Sequence, residues 1–259
     1  MFAQAFAPNR AIDRTTAASL VLAWVVLTLT AWIVFMPPII PRPWDVLLAF
    51  GSLWERGVVL ELGRSAATNL KALLLTTIIS LALAYGTVLP AFRPLTAAVA
   101  KMRFLGLTGL TLLFTLAFAG GEMLKVAITA FGMTVYFVVT MAGIVADIPR
   151  AEYDHARTLR MHEWRVVWEV VVLGRLDQAF EVMRQNAAIG WMMLTMVEGL
   201  VRSGGGIGAM LLSENKYFHL EEVFALQVLI LVVGIGFDWM IGSAKNLACP
   251  YAGLTKERR

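Results

Sequence analysis

Long apolar runs broken by short polar segments dominate the pattern along this chain. Six stretches reach membrane length or come close to it, at 17–36, 70–89, 104–119, 123–146, 182–201 and 223–241. A bilayer core about 30 Å thick takes roughly 20 apolar residues per helix. The pattern therefore predicts an all-α integral membrane protein of about six spanning helices, forming a single domain over 1–259. The third stretch is short, and Gly106, Gly109, Gly120 and Gly121 within or beside it predict close packing or a break. Pro37, Pro38, Pro41 and Pro43 end the first helix, because proline lacks the amide donor a helix needs. After them, 44–54 has amphipathic spacing and is read as a short helix at the membrane interface.

Between the fourth and fifth apolar stretches lies a strongly polar segment, 150–169, reading RAEYDHARTLRMHEWRVVWE, within a loop spanning 150–175. Read as a helix, it brings Tyr153, Ala156, Leu159 and Met161 near one stripe, with Arg157, Arg160 and Glu163 elsewhere. A turn at Arg160, Met161 and His162 precedes a second helical run over 164–172. Two short helices joined by a turn can offer one apolar ridge to a groove on a soluble partner. They can equally lie in the interface as an amphipathic hairpin with no partner. Periodicity alone leaves both readings open.

Composition supports the class. Of the 259 residues, 59% are hydrophobic and 15% charged, against roughly 25% charged in soluble domains. Net charge is +4, but placement says more than sign. With the N-terminus inside, 15 of the 22 Lys/Arg fall on the inner side, six of them in 150–184. Seven remain elsewhere, namely Arg42, Arg56, Arg64, Lys71, Lys125, Arg202 and Lys216. The positive-inside bias predicts that both termini and the polar loop are cytoplasmic. No small-residue cleavage site follows the first apolar run, so the first helix is expected to stay as a signal anchor. The single cysteine, Cys249, excludes an internal disulfide and a cysteine-based metal site.

The polar loop carries a resemblance. Asp154, His155 and Ala156, then Arg160 four residues on, then Val170, Val172 and Leu173, follow the spacing of the EAA loop of binding-protein-dependent ABC transporter permeases. In that pattern Asp154 stands at the glutamate, His155 and Ala156 at the two alanines, and Arg160 at the glycine. Val170, Val172 and Leu173 stand at its isoleucine, leucine and proline. Arg160 is the largest departure, because a turn needing positive φ is costly for arginine. Further stretches are similar to the nitrate/sulfonate/taurine branch of the family. These are Gly121-Glu122-Met123-Leu124-Lys125-Val126, then Met183-Arg184 with Trp191 and 194–198, and then Ser203-Gly204-Gly205-Gly206-Ile207-Gly208. Pro41-Arg42-Pro43-Trp44 resembles the start of the branch's short outer helix.

The resemblance implies a MetI-like permease core in a bacterial cytoplasmic (inner) membrane, with 150–175 as the cytoplasmic coupling loop. It implies ABC ATPase subunits, a second permease subunit in a homo- or heterodimer, and a periplasmic or lipid-anchored substrate-binding protein. ATP and Mg²⁺ would be bound by the partner ATPase, and this chain would need no cofactor. The ATPase-coupling residues would be Asp154, His155, Ala156, Arg157, Leu159, Arg160 and Met161, with Arg157 solvent-facing or paired to Asp154. The substrate implied is a small anion such as nitrate, a sulfonate or taurine. Two alternatives are a divergent paralogue working in a heterodimer and a non-transport membrane assembly protein.

Charged residues at membrane depth are expensive and often functional. Glu198 and Arg202, at i,i+4, are read either as a structural ion pair or as a gate. Glu122 and Lys125, at i,i+3, invite the same two readings. Arg184, Gln185 and Asn186 are candidates for a pathway lining, and Arg184 is equally a snorkelling anchor. Asp238 and Trp239 are read as interface residues. The run 204–208 has no GKS or GKT after it, so it is a helix break or packing point rather than a phosphate loop. His155 and His162 stand seven apart and His219 on the other side, with no HExxH or GxSxG, so neither a metal site nor an enzyme is expected. Nucleic acid is not an expected partner, whereas membrane lipid is.

Overall fold

The structure, a computed structural model, describes residues 13–250 apart from Met36, Pro38 and Ala119. The terminal cations Arg10, Lys256, Arg258 and Arg259, which enter the orientation argument, lie outside the described residues. The described chain is helical, with no strand. Helix α1 covers Arg14–Phe35 and α2 covers Pro43–Glu55. The Asp45 carboxylate accepts the Arg42 amide at 3.1 Å and caps α2, with Pro43 in its first turn. Helix α2 covers the short helix expected at 44–54. One face of it, Val46, Ala49 and Leu53, is buried in a core with Val58, Ile207, Ala225 and Leu226, while Trp44 and Trp54 stay exposed.

Helix α3 runs Val58–Gly86, so its span begins well before residue 70 and ends at 86 rather than 89. Buried Ser65, Thr68, Asn69, Ala72, Leu73, Thr76 and Ser80 recur at three- and four-residue steps along it. The early turns carry Glu61, Arg64 and Ser65, whose polarity hides the helix start from a hydrophobicity reading. Helix α4 (Arg93–Lys101) and α5 (Leu107–Phe118) follow. Segment 104–119 is not a straight span: α5 has 12 residues, and Pro90–Phe104 and Gly109–Phe118 meet at 116°. Twelve residues rise about 18 Å, short of a bilayer core.

Helix α6 (Gly121–Ala146) is the most enclosed apolar helix, packed against α3 and against α9 (Leu176–Leu200). Between α6 and α9 lies the hairpin of α7 (Arg150–Thr158) and α8 (Glu163–Val166), the latter continuing as a wide π-helical turn over Val167–Leu173. The chain then forms α10 (Ile207–Lys216) and α11 (Leu220–Ala248). Among the described residues, four helices are long and apolar enough to cross a membrane: Thr15–Phe35, Val58–Gly86, Gly121–Ala146 and Leu220–Ala248. The bent pair would add one crossing. Helix α9, the span expected at 182–201, has 25 residues but is interrupted by Arg184, Gln185, Asn186 and Glu198. Arg184, Asn186 and Glu198 meet protein, because α9 packs among α3, α6 and α11, whereas Gln185 is exposed.

Candidate functional site

Two constructions stand at opposite ends of the bundle: a polar clasp where α3 and α6 begin, and the hairpin where they end.

The clasp is built around the glycine run that follows α9. Gly204, Gly205 and Gly206 all have positive φ, at 85°, 71° and 114°. The loop uses that freedom to bring the start of α10 against α3, α6 and α9. A Cβ on Gly206 would overlap the Glu198 carboxylate, and one on Gly205 would overlap Glu61. The first amides of α10 have no partner inside the helix, and side chains supply them. Ile207 N–H donates to Ser65 Oγ at 2.8 Å, Gly208 N–H donates to Glu198 Oε2 at 2.9 Å, and Gly206 N–H donates to Glu61 Oε2. Ser65 Oγ–H lies 2.7 and 2.8 Å from the two Glu198 oxygens. Glu198 is 1% exposed, its charge facing the positive end of the α10 dipole.

Lys125 completes the clasp from α6. It is 3% exposed and donates to the Gly205 carbonyl. Arg64 pairs with Glu61 at 2.7 Å, and Lys71 with Glu122 at 2.5 Å. Arg64, Lys71, Glu122, Lys125, Glu198 and Gly204 are among the residues around a cavity of about 470 Å³ that opens at this end. The clasp overturns both pairings read from helix spacing. Glu198 does not pair with Arg202, because α9 ends at Leu200 and Arg202 points to solvent from the following turn. Arg202 makes no ion pair among the described residues. Glu122 and Lys125 do not pair with each other either. The partners come instead from α3 and the glycine loop, which no local spacing could reveal.

A polar seam continues between the helices below the clasp. Asn69 on α3, Thr129 on α6 and Asn186 on α9 are buried, and each carries a side-chain polar atom with no protein partner among the described residues. Asn186 Nδ2 donates to the Val182 carbonyl at 3.0 Å, which leaves its oxygen free. Arg184 does not line this seam. It forms a two-point bond to Asp238 on α11, which makes Asp238 an interhelix partner. Glu181 approaches Arg184 at 3.7 Å and also pairs with Lys245 of α11 at 3.0 Å.

Near the clasp, a further cluster ties α2, α10 and α11 together, and the sequence alone does not bring it out. Arg56 contacts Glu214 at 3.1 Å and Glu222 at 2.8 Å, and His219 Nδ1 lies 2.7 Å from Glu214. Burial pushes the Glu214 carboxyl up, but its bonds to His219 and Glu222 and the Arg56 charge bring it below the ordinary range. Two carboxylates and an imidazole stand close enough to share a metal ion, and the Arg56 guanidinium already contacts both carboxylates.

At the hairpin, the turn after α7 is closed by Arg160 N–H to the Arg157 carbonyl at 2.9 Å and Met161 N–H to the Ala156 carbonyl at 3.5 Å. This is a Schellman closure, with its left-handed position filled by Arg160 at φ 56°. The glycine position of the EAA pattern therefore keeps its backbone conformation although the glycine is gone. Arg157 bonds Glu163 at 3.0 Å and Asp154 at 3.2 Å, joining the two limbs. The Arg157 hydrogen bond holds the Glu163 carboxyl below its ordinary range.

The expected ridge divides between inside and outside. Ala156 is 5% exposed and packs into the chain, whereas Leu159 is 59% exposed. Tyr153 leans with Val167 and Val170 on Val145, Ile148 and Val171, next to Tyr85 and Val88 at the end of α3. Ala156 is thus a hairpin residue, not part of a free ridge, because the second limb folds back over it. Asp154, His155, Arg157, Leu159 and Arg160 remain on the surface, with Met161 half-buried.

A bundle of membrane-length helices with a Schellman-turned hairpin packed against the ends of two of them is the architecture of a multi-pass membrane protein. The chain belongs to the family of binding-protein-dependent transport system inner membrane components, whose family model matches residues 62–243. That is the permease component of an ABC transporter, and the match runs from the clasp through the hairpin to α11. No curated protein matches the chain.

Proposed function

We propose that this chain is the permease subunit of an ATP-driven importer for a small anion of the nitrate, sulfonate or taurine kind. The hairpin is its cytoplasmic dock for a separate ATPase, and the clasp is its outer gate. The observation that carries the reading is the left-handed turn at Arg160, which preserves the loop's shape where its sequence has drifted. A hairpin that keeps this costly turn is held in a set shape, which favours coupling by this chain itself over a purely structural role beside a paralogue.

Force applied to the hairpin reaches the bundle through Val145, Ile148 and Val171, packed against Tyr85 and Val88. It therefore acts on the ends of α3 and α6, whose other ends hold Ser65 and Lys125 of the clasp. Coupling requires that the ATPase bind the hairpin better in one permease state than in the other. The seam polar atoms of Asn69, Thr129 and Asn186 lack partners in this state, so a state that hydrates them costs less to reach. Arg64, Lys71 and Lys125 stand around the cavity beside Glu122 and Glu198, so an anion would exchange with the carboxylates that now pair Arg64 and Lys71.

Co-purification with the ATPase tests the dock. Leu159→Asp, exposed and outside the bundle, is expected to lower ATPase recovery about tenfold at unchanged monodispersity. Equal recovery would exclude the hairpin as the dock. Uptake of labelled nitrate and taurine by proteoliposomes carrying the ATPase and binding protein tests the substrate class. Loss of uptake in Lys71→Met with intact assembly is the expected result.

A further inference from the structure

We infer that the groove between the end of α3 and the second hairpin limb is a binding site for an anionic phospholipid of the adjoining leaflet. The inference rests on α3 crossing the bilayer, and on nothing about the transported solute.

Tyr85, Leu89, Trp164, Val167, Trp168 and Val172 line a cavity of about 450 Å³ with Gly86, Val88 and Glu163. Its depth is set by α3, whose last helical residue is Gly86, so the groove opens where hydrocarbon gives way to headgroups. Trp164 and Trp168 stand one helical turn apart and are 64% and 56% exposed. Tryptophan at the end of a span belongs at the headgroup level, with its ring body in apolar surroundings. Two such rings over an apolar groove leave a large surface that protein does not cover, which marks it as a contact surface.

Charge complementarity selects the occupant. Arg165 lies between the two tryptophans in sequence, exposed, and only loosely paired to Glu169 at 3.8 Å. Arg93 is exposed at the same helix end, where its Nε donates to the Thr87 carbonyl at 3.1 Å. Thr87 sits between the lining residues Gly86 and Val88. Glu163, the charged residue of the lining, is already bonded to Arg157. The phosphate of a lipid along the tryptophans is therefore left to Arg93 beside Thr87 and to Arg165 beside Trp164 in sequence, as cationic groups at membrane ends hold anionic headgroups. A lipid so placed touches both α3 and the hairpin, and braces one against the other. A soluble protein would have to reach the groove at the depth of α3's last turn, where lipid headgroups already lie.

Native mass spectrometry of the whole chain, released from nanodiscs of phosphatidylglycerol and phosphatidylcholine, tests the proposal. Wild type is expected to retain phosphatidylglycerol in preference to phosphatidylcholine. Trp164→Ala with Trp168→Ala should lower retention about tenfold. Arg93→Gln with Arg165→Gln should keep a lipid bound but erase the headgroup preference. Thermal unfolding within a degree or two of wild type shows that the variants fold. Should they unfold, quenching of a bimane label at Trp168→Cys by brominated phosphatidylglycerol gives the same answer in an otherwise native groove, and absence of quenching overturns the proposal. Unchanged retention in the tryptophan variant overturns it as well. So does loss of ATPase recovery with unchanged lipid retention, which would make the groove a protein contact.

Discussion

Ser65 on α3 bridges Glu198 on α9 to the first turn of α10. Its Oγ accepts the Ile207 amide at 2.8 Å and, through its own proton, lies 2.7 Å from Glu198 Oε1. One hydroxyl thus joins three helices, and the buried carboxylate beside it sits at a helix N-terminus rather than in an ion pair with Arg202. Glu198→Gln should cost about 1–3 kcal/mol, because a charge-assisted bond to Gly208 is lost and buried Lys125 loses a nearby anion. Arg202→Gln should stay within about 0.5 kcal/mol, as expected of an exposed residue without an ion pair. Thermal unfolding of both in the same detergent separates them; equal effects would mean that the clasp does not depend on the Glu198 charge.

Gly206→Ala should be among the most damaging alanine substitutions in the chain. Its φ of 114° lies in the region that disfavours side chains, and its new Cβ would displace the Glu198 carboxylate. A cost of about 3 kcal/mol or more is expected, combining backbone strain with a broken buried bond. Gly51→Ala inside α2, where nothing lies within 4 Å, should instead stabilise by up to about 1 kcal/mol. Yield of monodisperse protein and unfolding temperature report both.

The left-handed Arg160 predicts a pair of opposite signs. Arg160→Gly relieves the side-chain penalty at φ 56° but loosens the unfolded chain, for a net gain of about 0.5 kcal/mol. Arg160→Val puts a β-branched side chain in the same turn and should cost about 1 kcal/mol or more. Hairpin opening, followed by the distance between spin labels on α7 and α8, should fall with glycine and rise with valine. Two shifts of the same sign would mean that the turn is not the strained element.

The hairpin should also loosen in acid. Glu163 has a folded pKa below its ordinary 4.5, through its bond to Arg157. A depressed carboxyl contributes stability that is present above the unfolded value and is lost as pH falls through the folded one. Spin labels on the two limbs should therefore hold their distance near neutrality and separate below about pH 4.5. In Glu163→Gln the separation should no longer depend on acid. Acid-induced opening that persists in that variant would assign the response to other groups.

Sequence alone determined what depends on composition and local spacing. Runs such as 123–146 and 223–241 are apolar over nearly their whole membrane length, so membrane helices follow without knowledge of any contact. The hairpin was legible too, since the break at Arg160–His162 lies within a few residues of both limbs. The tertiary structure decided every partner that lies far along the chain. Glu198 meets Ser65 across 133 positions, whereas the spacing argument could offer only Arg202, four residues away. Ala156 reads as one more residue of an exposed stripe until the second limb folds over it. Helix α9 reads as one more spanning stretch, and only the packing shows its Asn186 and Glu198 buried among α3, α6 and α11. A periodicity marks which face of a helix is polar, but the group that face meets is set by how the helices pack.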